Sequence, residues 1–299
     1  MEFINKIDTT SKLWGCPDGA NLLALAQMVG DGKRIVYVAR DDARMAAIGD
    51  GLRRLNPDID MLVLPAWDCL PFDRLSPQGG LVGQRIEALA ALAGGAGQLL
   101  LTTVNAILQR VPQISYFADS SLVIAPGGET GPAALAEFLA NRSYLRTDTV
   151  RETGEFAVRG GIVDVFPPGA NAPARLDFFG DEVETIRSFD PATQRSTGPL
   201  DRLILRPVAE LRLDDETVER FRTGYRAAFG AQASRDALYE SVSASRMHPG
   251  IEHWLPLFHE SLSTVLDYCD GWNIVLDHEG DAAINARFDQ IEDFFNARS

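Results

Sequence analysis

Residues 151–196, RETGEFAVRGGIVDVFPPGANAPARLDFFGDEVETIRSFDPATQRS, are where the chain changes its periodicity. Apolar residues recur there at every second position, the spacing of strands with one buried face. In ARLDFF this puts Arg175, Asp177 and Phe179 on one face and Leu176 and Phe178 on the other. Asn171, Pro173 and the Gly180-Asp181 pair supply turns between short strands. Arg159 lies just upstream. An arginine and a phenylalanine sharing a strand face have the composition of a docking surface, because those types are enriched at binding hot spots.

Outward from this stretch the pattern differs on both sides. Residues 1 to about 123 alternate between helical and strand-like segments. The runs 35–38, 61–64, 99–102 and 122–125 are short, continuous and rich in branched residues, as fully buried parallel strands are. Helical spacing covers 20–29, 42–55 and 83–92, with Asp41 placed to cap the second and Gly79-Gly80 breaking the chain before the third. This order predicts a three-layer α/β domain. Pro126-Gly127-Gly128 marks a break, a short helix follows at 132–141, and period two then holds to about residue 207. Helical patterning returns at 214–229 and 233–243. A strand at 272–276 and a helix at 280–297 follow.

Composition narrows the function classes. At 299 residues the chain can hold two or three domains. It has no run of about 18 apolar residues to cross a membrane, and MEFINKIDTT lacks the pattern of a secretory signal. The three cysteines, Cys16, Cys69 and Cys269, are scattered and form no CxxC pair, which fits a reducing cytoplasm. A net charge of -14 with only three lysines, Lys6, Lys12 and Lys33, opposes non-specific binding to phosphate backbones.

Three constellations bear on catalysis. WGCPDGAN, residues 14–21, leads into an apolar helix in the manner of a phosphate-binding loop. Such a loop reads GxxxxGK[ST], its lysine neutralising phosphate oxygens and its hydroxyl ligating magnesium. Gly15 and Gly19 keep the shape, but Trp14 stands at the first glycine position, Ala20 at the lysine and Asn21 at the hydroxyl. Nucleotide hydrolysis is not expected there. LPAWDCLPFDRLSP, residues 64–77, follows a buried strand, where α/β proteins place ligand loops. No histidine in the N-terminal half could activate its cysteine or carboxylates, and its alternating prolines and apolar residues read as a packed loop. His253 and His259 are six residues apart with Pro256 between them, unlike the i, i+4 pair of a zinc helix. His259-Glu260 reads as structural, at a helix start. The sequence predicts no catalytic residue and no metal site.

LPAWDCLPFDRLSP, GEFAVRGGIVDVFPPG, ARLDFFGDEVETIRSFDPATQRS and ASRMHPGIEHWLPLFHESLSTVLDY, in that order, resemble the N-terminal region of the bacterial transcription-repair coupling factors, the Mfd family. That family shares a module with the excision-repair protein UvrB, and both use it to contact UvrA. The resemblance implies an α/β fold built on a degenerate RecA-like (P-loop NTPase-like) domain split in sequence, 1–123 and 209–299. A small β-rich α+β UvrA-binding domain, 124–208, is inserted between the parts. The RNA polymerase-binding and translocase domains, with their ATP, magnesium and DNA, are expected beyond Ser299.

By the same resemblance, the UvrA-contacting positions fall on Arg159, Arg175 and Phe179, with Arg187 and Arg195 as weaker members of the face. Arg159 and Arg175 are expected to pair with carboxylates on UvrA, and Phe179 to fill an apolar pocket between them. UvrB itself resembles a working helicase with an intact phosphate loop and a long aromatic hairpin. Here the loop is degenerate, and only a short segment, 71–77, occupies the hairpin's region. The resulting expectation is a non-catalytic, cofactor-free cytoplasmic module that binds UvrA and recruits nucleotide excision repair to stalled RNA polymerase. The alternatives are a UvrB-like ATP-dependent damage-binding helicase module and a DNA-binding module.

Overall fold

A computed structural model of the chain describes residues 15–70, 73–118 and 121–298. Its first sheet joins four parallel strands: β1 (Ile35–Ala39), β2 (Met61–Leu64), β3 (Leu99–Thr103) and, from far along the chain, β12 (Asn273–Leu276). Their order is β12-β1-β3-β2. Every residue of β1 is buried because helices cover both faces. Ile35 and Tyr37 pack with Leu25 and Met28 of α1 (Asp18–Gly30) and Ile48 and Leu52 of α2 (Asp42–Leu55). Val36 and Val38 face the opposite core, with Ile86 and Leu89 of α3 (Gly79–Ala93). Asp41 caps α2 by accepting the Arg44 N–H at 2.7 Å. Gly79 and Gly80 form the first turn of α3 instead of breaking the chain ahead of it.

Two short helices, α4 (Val104–Ile107) and α5 (Ile114–Ala118), lead away from β3. The next run, β4 (Leu122–Ile124), does not join the parallel sheet as its apolar character predicts. It pairs antiparallel with β11 (Leu203–Leu205), and Ile124 packs in the core of the β-rich region. That region holds α6 (Pro132–Asn141) and six strands: β5 (Leu145–Arg146), β6 (Glu155–Arg159), β7 (Ile162–Val165), β8 (Ala174–Phe179), β9 (Glu182–Phe189) and β10 (Ser196–Pro199). They lie in the order β10-β9-β8-β7-β6-β5. The inner face contributes Phe156, Val163, Leu176 and Ile186 to a core closed by Leu135 and Leu139 of α6. Gly160 (φ 60°) and Gly180 (φ 63°) open the two-residue turns of the β6–β7 and β8–β9 hairpins, where a left-handed residue matches the strand twist.

The chain then forms a helical layer from α7 (Asp215–Phe229) and α8 (Ala237–Ser243), with 3₁₀ turns at Gly230–Arg235 and Ile251–Leu257. The sequence predicts one helix over 233–243, but Asp236 interrupts it and caps α8. Phe221 stacks on Phe258 with ring centroids 5.0 Å apart. The C-terminal helix α9 (Gly280–Arg298) follows β12.

Helix α3 ties these parts together. A side chain at Gly83 would meet the Gly169 backbone nitrogen at 3.2 Å, a tight contact, so glycine lets the β7–β8 loop approach this closely without strain. Two residues on, Arg85 is fully buried and donates from Nε to Glu210 at 2.7 Å and from Nη1 to the Pro65 carbonyl at 2.8 Å.

Candidate functional site

The outer face of the six-stranded sheet carries the residues singled out by alternation. Register across the strands places Asp164 opposite Arg175, and Arg175 opposite Arg187. Asp177 opposes Thr185 and Phe178 opposes Val183, so Glu184 bulges out of β9. Phe178 packs toward the inner core while Phe179, at the hairpin, is 80% exposed, the most exposed large apolar side chain among the described residues.

Asp164 organises the face. It is wholly out of water although it lies on the outer side, because two arginines cover it. Arg175 binds it side-on, Nε to Oδ1 at 2.7 Å and Nη2 to Oδ2 at 2.9 Å, a bidentate fork. Arg159 reaches the same Oδ2 from the neighbouring strand. The Arg175 guanidinium also lies 4.7 Å from the centre of the Phe189 ring and donates to the Gln194 carbonyl at 3.3 Å. The hydrogen bond to Asp164 pushes the Arg175 pKa further above its usual range.

The structure thus brings Arg159, Arg175 and Phe179 onto one surface but gives the arginines different roles. Arg175 is 17% exposed and engaged within the chain, whereas Arg159 is 46% exposed. Arg187 pairs with Asp177 on the same face. Arg195 is exposed at the turn into β10, a turn held by Asp190, whose carboxylate accepts the Ala192 and Thr193 N–H groups. Those bonds, chiefly the Thr193 N–H, hold the Asp190 carboxyl below the usual range. Asp164 carries no signal in the sequence because its partners lie on two other strands.

The loop read as a degenerate phosphate loop, residues 14–21, leads into α1. Trp14 lies outside the described residues. Gly15 is left-handed (φ 67°), and helix α1 begins at Asp18 with no side-chain cap. Gly19, Ala20 and Asn21 bring no charge or hydroxyl to this end. The Asp18 carboxylate projects there instead and pairs with Arg44 Nη1 at 2.8 Å. Arg44 Nε in turn meets both oxygens of Asp277 at 3.2 Å, and the Tyr37 hydroxyl donates to Asp277 at 2.7 Å. Burial raises the Asp277 pKa, but Tyr37, His278 and Arg44 more than offset it and hold the carboxyl low.

This network occupies the mouth between β1 and β12, whose following helices pack on opposite faces of the sheet. Such a switch point is where α/β folds bind ligands. Here an internal arginine joins two carboxylates, and a phosphate would meet Asp18. The sequence signal for Asp277 is its place at the carboxyl end of a parallel strand.

The remaining constellations make contacts within the chain. His253 Nε2 lies 3.2 Å from the Leu75 carbonyl. His259 follows a 3₁₀ turn, not a helix start as its sequence implies, and its Nε2 lies 2.8 Å from the Glu210 carbonyl. Among the described residues no group of three or more His, Cys, Asp or Glu side chains could hold a metal. The 64–77 loop is pinned by Ser76, which donates to Glu252 at 2.7 Å and accepts the Gly250 N–H at 2.9 Å. Its Pro71 and Phe72 lie outside the described residues. Burial pushes the Cys69 thiol up to about 11, the reverse of what a nucleophile needs. No helix among the described residues is long and apolar enough to cross a membrane.

Residues 122–211, the segment that builds this face, match the UvrB interaction domain family. The chain is also 32% identical over 275 residues to the transcription-repair-coupling factor of Haemophilus influenzae, covering 91% of this chain and 24% of that one. It is 32% identical over 253 residues to that of Escherichia coli, covering 84% and 22% respectively. For Myxococcus xanthus the identity is 34% over 223 residues, covering 71% and 18%. The chain is a homologue of the transcription-repair-coupling factors, Mfd, and spans about a quarter of the length of the first two of these relatives.

Proposed function

We propose that this chain is a non-catalytic docking module that binds UvrA and brings nucleotide excision repair to RNA polymerase stalled at a lesion. The observation that carries the reading is Phe179. A phenylalanine 80% exposed, on a face that also carries two ion-paired arginines, is a costly surface unless a partner covers it. It stands on the segment that matches the UvrB interaction domain.

In this reading Phe179 enters an apolar pocket on UvrA. Carboxylates at the pocket rim meet Arg159 and the outer edge of Arg175, with Arg187 and Arg195 at the periphery. The parallel sheet with its flanking helices is a RecA-like domain, split around the module, that has lost its motor role. RNA polymerase, DNA, ATP and magnesium belong to other domains of a cytoplasmic repair factor.

Size-exclusion chromatography of the chain with purified UvrA tests the proposal, with co-elution expected at micromolar concentrations. Separate elution would reject it. The ATPase alternative has its own test in thermal melting with millimolar Mg-ATP. A nucleotide at about a hundred times its Kd would stabilise the fold by about 2.7 kcal/mol. With Asp18 at the helix start and Arg44 across the crevice, no change in melting temperature is expected. A clear rise would revive the alternative.

A further inference from the structure

We propose that Asp164 is the positioning residue of the docking face: it fixes Arg159 and Arg175 before a carboxylate-bearing partner arrives. The inference rests on the docking function proposed above and deepens it. A carboxylate on the solvent side of a sheet normally faces water, yet Asp164 has none of its side chain exposed. Both oxygens are taken, Oδ1 by Arg175 Nε and Oδ2 by Arg175 Nη2 and Arg159 Nη2. Two guanidiniums from strands β6 and β8 are thereby held by one anion on the strand between them, β7.

The consequence is electrostatic and entropic. One carboxylate shared by two arginines leaves this three-residue cluster with a surplus of one positive charge. Arg187 and Asp177 beside it cancel each other. Of the five N–H donors of a guanidinium, Arg175 commits Nε, one on Nη2 and one on Nη1 to Asp164 and Gln194. Its remaining donors keep a fixed direction. Long side chains ordinarily lose rotamer freedom on binding, and here that loss has already occurred in the free protein. The partner chemistry that fits is an apolar pocket with a carboxylate at its rim, close enough to reach Arg159 while Phe179 is seated. A second acidic group on the rim would meet Arg187, which is 45% exposed and already pairs with Asp177.

The test compares Asp164→Asn with the unaltered chain and with Phe179→Ala in calorimetric titration against UvrA at low and high salt. Asparagine keeps the shape and removes the charge that holds both arginines. Affinity is expected to fall by about tenfold or more as the guanidiniums lose their anchor. Binding should also become more salt-sensitive, because two uncompensated positive charges now face the partner. If Phe179→Ala weakens binding but Asp164→Asn matches the unaltered chain in affinity and salt response, positioning by Asp164 is overturned. If Phe179→Ala has no effect, the docking function itself fails. Nuclear magnetic resonance of the unaltered chain decides the matter independently of how the variant folds. The Arg175 Nε–H is expected as a resolved, slowly exchanging signal before UvrA is added. Exchange as fast as that of a free guanidinium would overturn the proposal.

Discussion

Arg85→Ala is expected to lower the stability of the chain by about 3–5 kcal/mol, the usual cost of stripping one partner from a buried ion pair. Arg85 is 0% and Glu210 2% exposed, so alanine would leave a carboxylate with neither water nor counter-charge. The Pro65 carbonyl and the Gln109 side chain, 2.8 and 3.0 Å from Nη1, would lose their donor as well. Single domains are stable by roughly 5–15 kcal/mol, so this loss removes a large share of the whole. Urea unfolding measures it. Replacing both partners, as in Arg85→Met with Glu210→Leu, should recover most of the loss, since an apolar pair of similar volume needs no desolvation of charge. A double variant as unstable as Arg85→Ala would show that the hydrogen bonds to Pro65 and Gln109 dominate.

Phe179→Ala has the opposite profile, with a large effect on association and almost none on folding. Its ring is 80% exposed, so truncation uncovers no core, and melting should stay within the narrow range of ordinary surface substitutions. An aromatic anchor seated in a partner's pocket is worth about 2 kcal/mol or more, or roughly thirtyfold in Kd. Arg175→Ala is a less clean probe of the same surface. It removes the fork that covers Asp164 and uncovers the Phe189 ring, and would therefore disturb the sheet as well as binding.

The contrast between these residues shows what the sequence reveals and what it hides. Alternation alone separates Leu176 and Phe178 from Arg175, Asp177 and Phe179, because strand side chains point to alternate faces whatever the strand pairs with. Asp41 as a helix cap and Gly180 as a hairpin turn are equally local, and both are legible. Partners distant in the chain are not. The apolar run of β4 reads like its neighbours, and only the hydrogen bonds to β11, some eighty residues on, place Ile124 in the other core. Arg85 looks like one polar residue in an apolar helix, since nothing near it announces Glu210, 125 positions away.

The site divides along the same line. Its exposed members, Arg159 and Phe179, stand out by residue type and position. Asp164 reads as an ordinary strand residue in GIVDVF until β6, β7 and β8 are placed side by side. The same is true of Arg44 and Asp277, which the fold joins across the crevice from opposite ends of the described chain. That Ala20 and Asn21 stand where a phosphate-binding loop carries its lysine and hydroxyl is visible in the sequence. That an internal arginine fills the space between two carboxylates is not.

The most direct test of the account is isothermal titration of UvrA with the chain and with its Phe179→Ala variant, both first shown to melt alike. Saturable binding by the unaltered chain is expected, with a Kd weaker by about thirtyfold for the variant. Equal affinities would place the UvrA contact elsewhere and contradict the account.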